Sequence, residues 1–311
     1  VCGVPLSYLF LRGQGIKILS LVSKECRNEK FLLPVVKKDK KEEEIQEGYE
    51  GAIVLYPYSD IYYEPVVVSD YNSLYPSSMI SHNLSHDTFI IPGSEYEDIP
   101  GIETKTVVYD NYMYVKKGAA VKKIINQSEP KKYCKFVQPK KDEDGNIINE
   151  TRGVIPKILQ KLLSARKATR LRIKTEPDPF KCQVLDGLQL AYKVTANSLY
   201  GQIGASTSAI YWKDIAASTT AVGRDNLILA KNYAEENYPG CKAVYGDSVS
   251  GDTPLLLLNI ETNNIEFKQI DEIYEKWIPY RLFKSNESYS FKLIRMDSAS
   301  FYGCYRKISV C

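Results

Sequence analysis

The sequence has no apolar run near the roughly 18 residues that a membrane-spanning helix needs, although 44% of its residues are hydrophobic. Its seven cysteines include no Cys-x-x-Cys pair. Neither a zinc site nor a disulfide framework is therefore indicated, and a reducing, intracellular compartment is the simplest interpretation. Arg12, Gln14 and Lys17 interrupt the first apolar stretch, which is not typical of a signal peptide. The net charge of +3 leaves room for basic residues concentrated in one cleft.

Segments of different composition follow one another along the 311 residues, which suffice for two or three domains. Because the chain begins at Val1 rather than methionine, we expect it to be part of a larger reading frame. The charged residues 37–44 are typical of a solvated linker, with a DNA contact as the less favoured alternative. Residues 52–56 and 66–70 are β-branched and apolar and predict two adjacent strands. The lysine-rich, turn-rich residues 116–149 indicate a variable insertion.

Three helices are predicted in the second half of the chain. Pro156 suits the first position of a helix, and the apolar residues after it keep helical spacing. Residues 176–179, with the sequence Glu-Pro-Asp-Pro, end this helix, so a second helix over about residues 180–200 would complete an antiparallel hairpin. A third helix is predicted over about residues 213–237, and residues 243–245 are predicted to form an apolar strand.

The first stretch suited to chemistry is residues 66–77, where a predicted strand ends at Asp70. The turn behind it would expose the backbone N–H groups of Ser73 and Leu74. A carboxylate beside donor amides suits a metal–phosphate site, and Tyr75 offers a flat ring for a sugar. A simple boundary between strand and turn would explain the pattern equally well.

The second stretch is the predicted helical hairpin. Arg166 and Arg170 lie four residues apart, and Lys193, Asn197 and Tyr200 are spaced i, i+4 and i+7, so each set shares a helix face. The face on the second helix presents a cation, an amide and a ring, in the order that contacts phosphate, sugar and base. A solvated basic face with a tyrosine packed on the core is the alternative.

The third stretch is the turn Tyr245-Gly246-Asp247, which presents a second carboxylate. Two-metal nucleotidyl transfer uses carboxylates to hold two ions about 3.5–4 Å apart. The chain then continues with Ser248 and Val249. An isopropyl side chain cannot donate an oxygen to a hard cation, so Val249 cannot extend the carboxylate set.

Taken in order, these stretches resemble the motifs of family B DNA polymerases of the delta-like, large-DNA-virus type. The matching segments are residues 13–17 (end of the exonuclease domain), 70–80 (motif A), 153–166 (start of the fingers), 193–201 (motif B) and 245–247 (the first half of the Tyr-Gly-Asp-Thr-Asp-Ser motif). The resemblance implies an α+β fold: a right-hand polymerase palm, with an antiparallel sheet and helices, and helical-hairpin fingers. Order and spacing together are more specific than any one motif.

The resemblance also implies site residues. Asp70 and Asp247 would hold two Mg²⁺ ions, with the carbonyl of Tyr71 as a further ligand, and Tyr75 would be the gate against a ribose 2′-hydroxyl. The residues implied to contact the incoming nucleotide or the nascent pair are Ser73, Leu74, Arg166, Arg170, Lys193, Asn197 and Tyr200. Tyr71 replaces the usual phenylalanine, which a backbone ligand tolerates, and Arg170 stands where lysine is common, a change of cation geometry.

The implied partners are primer–template DNA, deoxynucleoside triphosphates and a sliding clamp, in the nucleus or at a viral replication site. The implied domains are 1–45 (end of the exonuclease domain and linker), 46–152 (first part of the palm with motif A and a variable insertion), 153–203 (fingers with motif B), 204–247 (second part of the palm) and 248–311 (the N-terminal part of an intein).

Residues 248–253 resemble the first block of an intein, a self-splicing insertion. The Ser248 hydroxyl would attack the carbonyl of Asp247 and turn the peptide into an ester, and Thr-Asp-Ser would resume after the insertion. The apolar segments 254–260, 265–270 and 289–295 predict a β-rich module.

Self-splicing by this chain alone is excluded by its histidines. His82 and His86 are the only two, and both precede the insertion, so the Thr-x-x-His block and the terminal His-Asn pair are absent. We also expect no polymerase activity from this chain, because one palm aspartate and the thumb are absent. The alternatives are a degenerate, non-catalytic DNA-binding homologue with an ordinary turn serine at Ser248, and an exonuclease, for which no cluster of paired acidic residues is present.

Overall fold

The structure, a computed structural model, describes residues 1–33, 45–58, 67–97, 99–117 and 120–247, and short strands at 254–259, 264–269, 292–294, 296–297 and 300–301. The predicted linker at residues 37–44 lies outside these ranges. The chain divides into two compact units. The first comprises Val1–Ala52 and Leu74–Leu229, and the second comprises Ile53–Ser73 and Ala230–Cys311.

Six α-helices lie in the described residues: α1 (Tyr8–Leu11), α2 (Gln14–Glu29), α3 (Leu74–Ser81), α4 (Val154–Thr175), α5 (Pro179–Gly204) and α6 (Lys213–Asn237). A 3₁₀ turn at Asn149–Thr151 precedes α4. None of the helices that the structure describes is long and apolar enough to cross a membrane.

Helix α2 packs on the first unit's core through one apolar stripe. Ile18, Leu21, Val22 and Cys26 are buried, and their spacing repeats on one side of a helix. Two ion pairs fasten its far end to α4: Lys157 with Glu29 at 2.8 Å and Lys161 with Glu25 at 2.7 Å.

Helix α4 begins two residues before the predicted position, at Val154, with Gly153 as its N-cap. Pro156 therefore occupies the third helical position, where its missing N–H is still one that the helix leaves without an internal acceptor. The first N–H groups are satisfied by distant side chains. Asn83 Oδ1 accepts from Gly153 N at 2.9 Å, Asp87 accepts from Val154 N at 3.2 Å, and Ser85 Oγ accepts from Ile155 N at 3.1 Å.

The predicted helical hairpin is confirmed. Helix α4 ends at Thr175, and Asp178 caps α5 by accepting from the backbone N–H groups of Phe180 and Lys181. The helices run antiparallel, since Arg166 contacts Gln189 while Cys182, near the start of α5, contacts the carbonyl of Ile173. The predicted bounds of α6 are also confirmed, at Lys213–Asn237.

The first unit's sheet is antiparallel throughout its described pairings, so the predicted α+β class is confirmed. Its strands are β1 (Ile45–Tyr49), β2 (Phe89–Ile90), β3 (Thr104–Lys117), β4 (Ala120–Ile125) and β5 (Lys131–Val137), in the order β1-β3-β5-β2 with β4 also on β3. Strands β4 and β5 form where residues 116–149 predicted a turn-rich insertion. Val107 and Tyr109 of β3 and Cys134 and Phe136 of β5 are buried on one face of the sheet. Buried residues two positions apart are the alternating pattern of a strand, which explains why β3 and β5 form.

In the second unit, the strand predictions at residues 52–56, 66–70 and 243–245 are wrong for the described residues. Residue 66 lies outside them, and 67–70 have no regular secondary structure. Residues 53–58 and 244–247 instead make one isolated bridge, Val54 with Asp247, and two bonds, from Leu55 N to Gly246 O and from Tyr58 N to Val244 O. Pro57 has no N–H to donate, which works against a continuous ladder.

The C-terminal segments predicted as strands are confirmed within their described residues: β6 (Pro254–Asn259), β7 (Asn264–Gln269) and β8 (Lys292–Ile294) form an antiparallel sheet in the order β7-β6-β8. Two further strands, β9 (Met296–Asp297) and β10 (Ser300–Phe301), pair with each other. Ser248 and Val249 lie outside the described residues.

Substituting Gly153 by alanine is expected to destabilise the first unit. A Cβ at Gly153 would lie 2.7 Å from Ser85 Cβ and 2.8 Å from Thr88 Cγ2, and overpacking of this kind costs about 1–3 kcal/mol. Urea denaturation measures the change. Gly187→Ala is the matched control, because a Cβ there meets nothing within 4 Å and alanine gains about 1 kcal/mol inside a helix. Equal stability of the two variants would contradict the proposed close packing.

Candidate functional site

Asp70 and the turn after it lie at the surface of the second unit. Asp70 and Asn72 are exposed, and Tyr71 is 41% exposed. Ser73 has a φ of 53°, a left-handed conformation that is uncommon for a residue with a side chain. Helix α3 begins at the next residue, Leu74. An α-helix leaves its first N–H groups without internal acceptors, so the predicted presentation of backbone donors behind Asp70 fits this turn.

Asp247, also in the second unit, is held from two sides. Its backbone bridges to Val54, and its Oδ2 atom accepts a hydrogen bond of 2.9 Å from the hydroxyl of Tyr245. A hydrogen bond from a neighbouring side chain fixes the orientation of a ligating carboxylate. Sequence reasoning did not single out Tyr245 for this task.

The donors present fit a hard divalent cation in kind. Asp70, Asp247 and the carbonyl of Tyr71 offer only oxygen atoms, which magnesium prefers. The set is small, since no group of three or more His, Cys, Asp or Glu side chains is placed to hold a metal ion within the part of the chain that the structure describes.

The predicted nucleotide-binding residues of the hairpin belong to the first unit. Lys193 is 8% exposed, Asn197 and Tyr200 are half-buried, and all three follow one face of α5. On α4, Arg166 Nε donates to Gln189 Oε1 of α5 at 3.2 Å, while Arg170 is exposed. A lysine buried to this extent is oriented by the protein rather than by solvent.

Tyr75 and Tyr200 are in direct contact, which joins motif A to motif B within the first unit. Their ring centroids lie 4.7 Å apart at an interplanar angle of 39°. The hydroxyls of Tyr200 and of Tyr49, at the end of β1, share a hydrogen bond. Burial is the largest cause that raises the pKa of Tyr200, and the neighbouring Tyr49 raises it further. Tyr200 is therefore held in its neutral form.

Two glycines allow this tyrosine cluster, defined as Tyr49, Tyr75 and Tyr200, to pack. A Cβ at Gly223 in α6 would lie 2.9 Å from Tyr75 Cε1, and one at Gly204 would lie 2.7 Å from the hydroxyl of Tyr49. Helices α5 and α6 thus approach the tyrosine rings at positions without a side chain, and a methyl group at either would displace a ring.

Sequence reasoning missed Tyr49 and Arg224. The Arg224 guanidinium donates two bonds of 2.8 Å, to the carbonyls of Glu50 and Gly51, which fixes the chain just after Tyr49. No local pattern separates Tyr49 from the other 23 tyrosines. Its importance follows from the pairing of β1 with β3 and from the position of α5, which are tertiary features.

The predicted residues therefore fall into two groups. Asp70, Tyr71, Ser73 and Asp247 belong to the second unit, and the first unit holds the others: Leu74, Tyr75, Arg166, Arg170, Lys193, Asn197 and Tyr200. Within the first unit the structure brings Tyr75 and Tyr200 together. Ser248 lies outside the described residues.

The antiparallel sheet and the two-helix hairpin are the elements that the sequence motifs imply for a polymerase. The chain matches the family described as DNA polymerase family B over residues 4–286. It belongs to the family B DNA polymerases, so the family inferred from the motifs is confirmed.

The chain is similar to DNA polymerases of large DNA viruses and of eukaryotes. The chain is 45% identical to the DNA polymerase of Pyramimonas orientalis virus, over 80% of the chain and 23% of that protein. It is 36% identical to the DNA polymerase delta catalytic subunit of Dictyostelium discoideum, over 85% of the chain and 21% of that protein. Identity to the DNA polymerase of Acanthamoeba polyphaga mimivirus is 30%, over 96% of the chain and 26% of that protein. The chain thus spans about a quarter of the length of these relatives.

The fold is similar to that of the family B DNA polymerase from the archaeon Pyrobaculum calidifontis. The TM-score is 0.53 at 24% sequence identity, with 98% of this chain and 33% of the archaeal chain covered. The similarity supports the polymerase fold, an antiparallel sheet with helices.

Proposed function

We propose that this chain is part of a replicative DNA-directed DNA polymerase that adds deoxynucleoside triphosphates to a primer 3′-OH. The observation that carries the proposal is the contact between Tyr75 and Tyr200, with ring centroids 4.7 Å apart. Tyr75 follows Asp70 by five residues, and Tyr200 follows Lys193 by seven. The contact therefore joins the segment that follows Asp70, the proposed metal ligand, to the helix that carries Lys193, the proposed phosphate ligand.

The carboxylates of Asp70 and Asp247, with the carbonyl of Tyr71, would hold two Mg²⁺ ions. When bound, such ions supply Lewis-acid activation of the attacking and leaving oxygens. Tyr245 donates a hydrogen bond of 2.9 Å to one oxygen of Asp247, which would orient the carboxylate. The N–H groups of Ser73 and Leu74 would then donate to phosphate oxygens.

The motifs assign the rest of the nucleotide to residues of the hairpin and of motif A. Lys193, Arg166 and Arg170 would neutralise the triphosphate, because phosphoryl transfer depends on positioning and charge stabilisation more than on covalent chemistry by the protein. Asn197 and Tyr200 would line the nascent base pair, and Tyr75 would lie under the sugar, where its ring excludes a ribose 2′-hydroxyl.

Primer extension tests this function. We expect the full-length polymerase to extend a labelled primer on its template with Mg²⁺, and this 311-residue chain to give no product, because Val249 stands where the motif's second aspartate is needed. Extension by the chain above a no-enzyme control would contradict the assigned role of that aspartate. A full-length protein that binds primer–template but shows no metal-dependent nucleotide binding would favour the non-catalytic scaffold instead.

We also propose that an intein interrupts the polymerase after Asp247. The support is the sequence Ser248-Val249 in place of Thr-Asp and the coverage of the chain by two relatives. The alignment to the mimivirus polymerase covers 96% of the chain, whereas the alignment to the Pyramimonas orientalis virus polymerase covers 80%. The family match continues to residue 286, and the boundary after Asp247 therefore rests on the motif alone.

The gene sequence beyond Cys311 tests the intein directly. A Thr-x-x-His block, then His-Asn followed by Thr-Asp-Ser, is the expected result. In the complete precursor, Ser248→Ala would remove the attacking hydroxyl and leave unspliced protein on a gel. Thumb-like sequence that continues without a second aspartate would mean a degenerate polymerase. Primer–template DNA and a sliding clamp are the proposed partners, at the site of nuclear or viral replication.

A further inference from the structure

Positive charge is concentrated on the sheet of the first unit. Residues 104–137 contain eight lysines and two acidic residues, whereas the net charge of the whole chain is +3. Two of these lysines form ion pairs with carboxylates outside the segment, Lys132 with Asp214 and Lys135 with Glu97. Strand β3 pairs with β5 over its first half and with β4 over its second half. The lysines are therefore distributed along one long antiparallel ribbon that the proposed catalytic roles do not use.

The face of this ribbon opposite the buried one combines aromatic rings with cations. Val108 and Tyr133 are cross-strand partners and are 39% and 61% exposed. Strand alternation places Tyr112 on the same side as Val108, and Lys123 Nζ lies 3.9 Å from the centroid of the Tyr112 ring. Lys131 is exposed at the start of β5. These five residues are called the tyrosine–lysine face.

We propose that the tyrosine–lysine face binds single-stranded DNA, as a contact for the template strand away from the catalytic residues. The inference rests on the proposed function only in taking DNA as the substrate. Exposed tyrosine rings stack on bases whatever their sequence, and lysines beside them neutralise phosphates. Val108 and Tyr112 lie four residues apart on one strand, roughly 13 Å at about 3.3 Å per residue, which is room for a few nucleotides.

Charge complementarity favours a nucleic acid as the occupant. Strand alternation also places Asp110 on this face, opposite Lys131, so Lys123 and Lys131 leave the face with one net positive charge. The remaining acidic residue in the segment, Glu129, lies in the connection between β4 and β5. An acidic protein partner would use the lysines but would give no role to a tyrosine that is 61% exposed. Binding of a single strand uses both the lysines, for its phosphates, and the exposed tyrosine rings, for its bases.

Fluorescence anisotropy of a labelled oligothymidylate of about 16 nucleotides, titrated with the 311-residue chain, tests the inference. Tyr133→Ala is expected to weaken binding about tenfold, as the loss of one stacked base does. The double variant Lys123→Gln/Lys131→Gln is expected to lower the slope of log K against log salt by about 1.4, for two lost phosphate contacts.

Matched controls separate this face from general effects. Tyr96 is 60% exposed against 61% for Tyr133 and lies outside the sheet, and Lys24 is exposed on α2, so Tyr96→Ala and Lys24→Gln should leave binding unchanged. Photocrosslinking from benzoylphenylalanine at position 133, but not at position 96, is the second expected result. Unchanged affinity in the face variants would overturn the inference and leave the face to a protein partner. Such a result would not affect primer extension by the full-length enzyme, so the two proposals fail separately.

Discussion

Replacing Asp247 or Asp70 by asparagine in the full-length polymerase is expected to lower the rate of nucleotide incorporation by about a thousandfold. The amide keeps the shape of the carboxylate, and its oxygen can still accept the bond from Tyr245, which measures 2.9 Å in the structure. What is lost is one negative charge on a metal ligand, and removal of one electrostatic contribution at a transition state costs about 10²–10³-fold. Single-turnover incorporation with saturating primer–template measures the loss.

Two control variants separate the metal-ligand role from folding. Asp144→Asn removes an equal charge from an exposed turn and should leave the incorporation rate unchanged. Tyr245→Phe keeps both aspartates but removes the hydrogen bond that orients Asp247, and loss of a bond that orients a metal ligand costs at least about tenfold. Raising the Mg²⁺ concentration should restore the incorporation rate of Tyr245→Phe more fully than that of Asp247→Asn. Full activity of Asp247→Asn would contradict a two-metal site at this residue.

Local signals in the sequence are sufficient for the helices that carry the nucleotide-binding residues. The Glu-Pro-Asp-Pro segment at residues 176–179 contains both the stop of α4 and the cap of α5, since Asp178 accepts from the N–H of Phe180. Helix α6 has the predicted bounds, Lys213–Asn237, because the Pro-Gly pair behind it cannot continue a helix. In each case the determining residues lie within a few positions of the helix end.

Features that depend on distant residues could not be read in this way. The start of α4 moves to Val154 because Asn83, Ser85 and Asp87, about 70 residues earlier, satisfy its first N–H groups. The composition of the lysine-rich segment that contains β5 predicts an insertion. In the structure its alternate residues face the core, and Cys134 is buried. Tyr49 has no local signal at all. The motifs therefore predict the candidate site residues, whereas the residues that support them are set by tertiary packing and have no local pattern.

Tyr75→Ala is expected to raise ribonucleotide use relative to deoxynucleotide use by on the order of a hundredfold, the scale on which an added hydroxyl can be discriminated. The ring of Tyr75 is held between Tyr200, with centroids 4.7 Å apart, and Gly223, where a Cβ would lie 2.9 Å from the ring. A ring fixed from both sides cannot move away from a 2′-hydroxyl. The ratio of kcat/KM for a ribonucleoside triphosphate to that for its deoxy counterpart measures the effect.

The support around the ring predicts a graded series. Gly223→Ala pushes on Tyr75 directly and should relax sugar discrimination by about tenfold. Tyr49→Phe removes the hydroxyl that shares a hydrogen bond with Tyr200 and should relax discrimination by less, because one hydrogen bond contributes about 1 kcal/mol. Tyr96→Ala removes an exposed ring outside the cluster and should leave the ratio unchanged. If Tyr49 and Gly223 were only structural, their substitution would lower the free energy of unfolding. It would also lower kcat/KM for the ribonucleotide and for the deoxynucleotide by the same factor, so that their ratio would stay constant. The expected loss of sugar discrimination is largest for Tyr75→Ala, smaller for Gly223→Ala and smallest for Tyr49→Phe. That order would establish that the tyrosine cluster holds the Tyr75 ring in the position that excludes a 2′-hydroxyl.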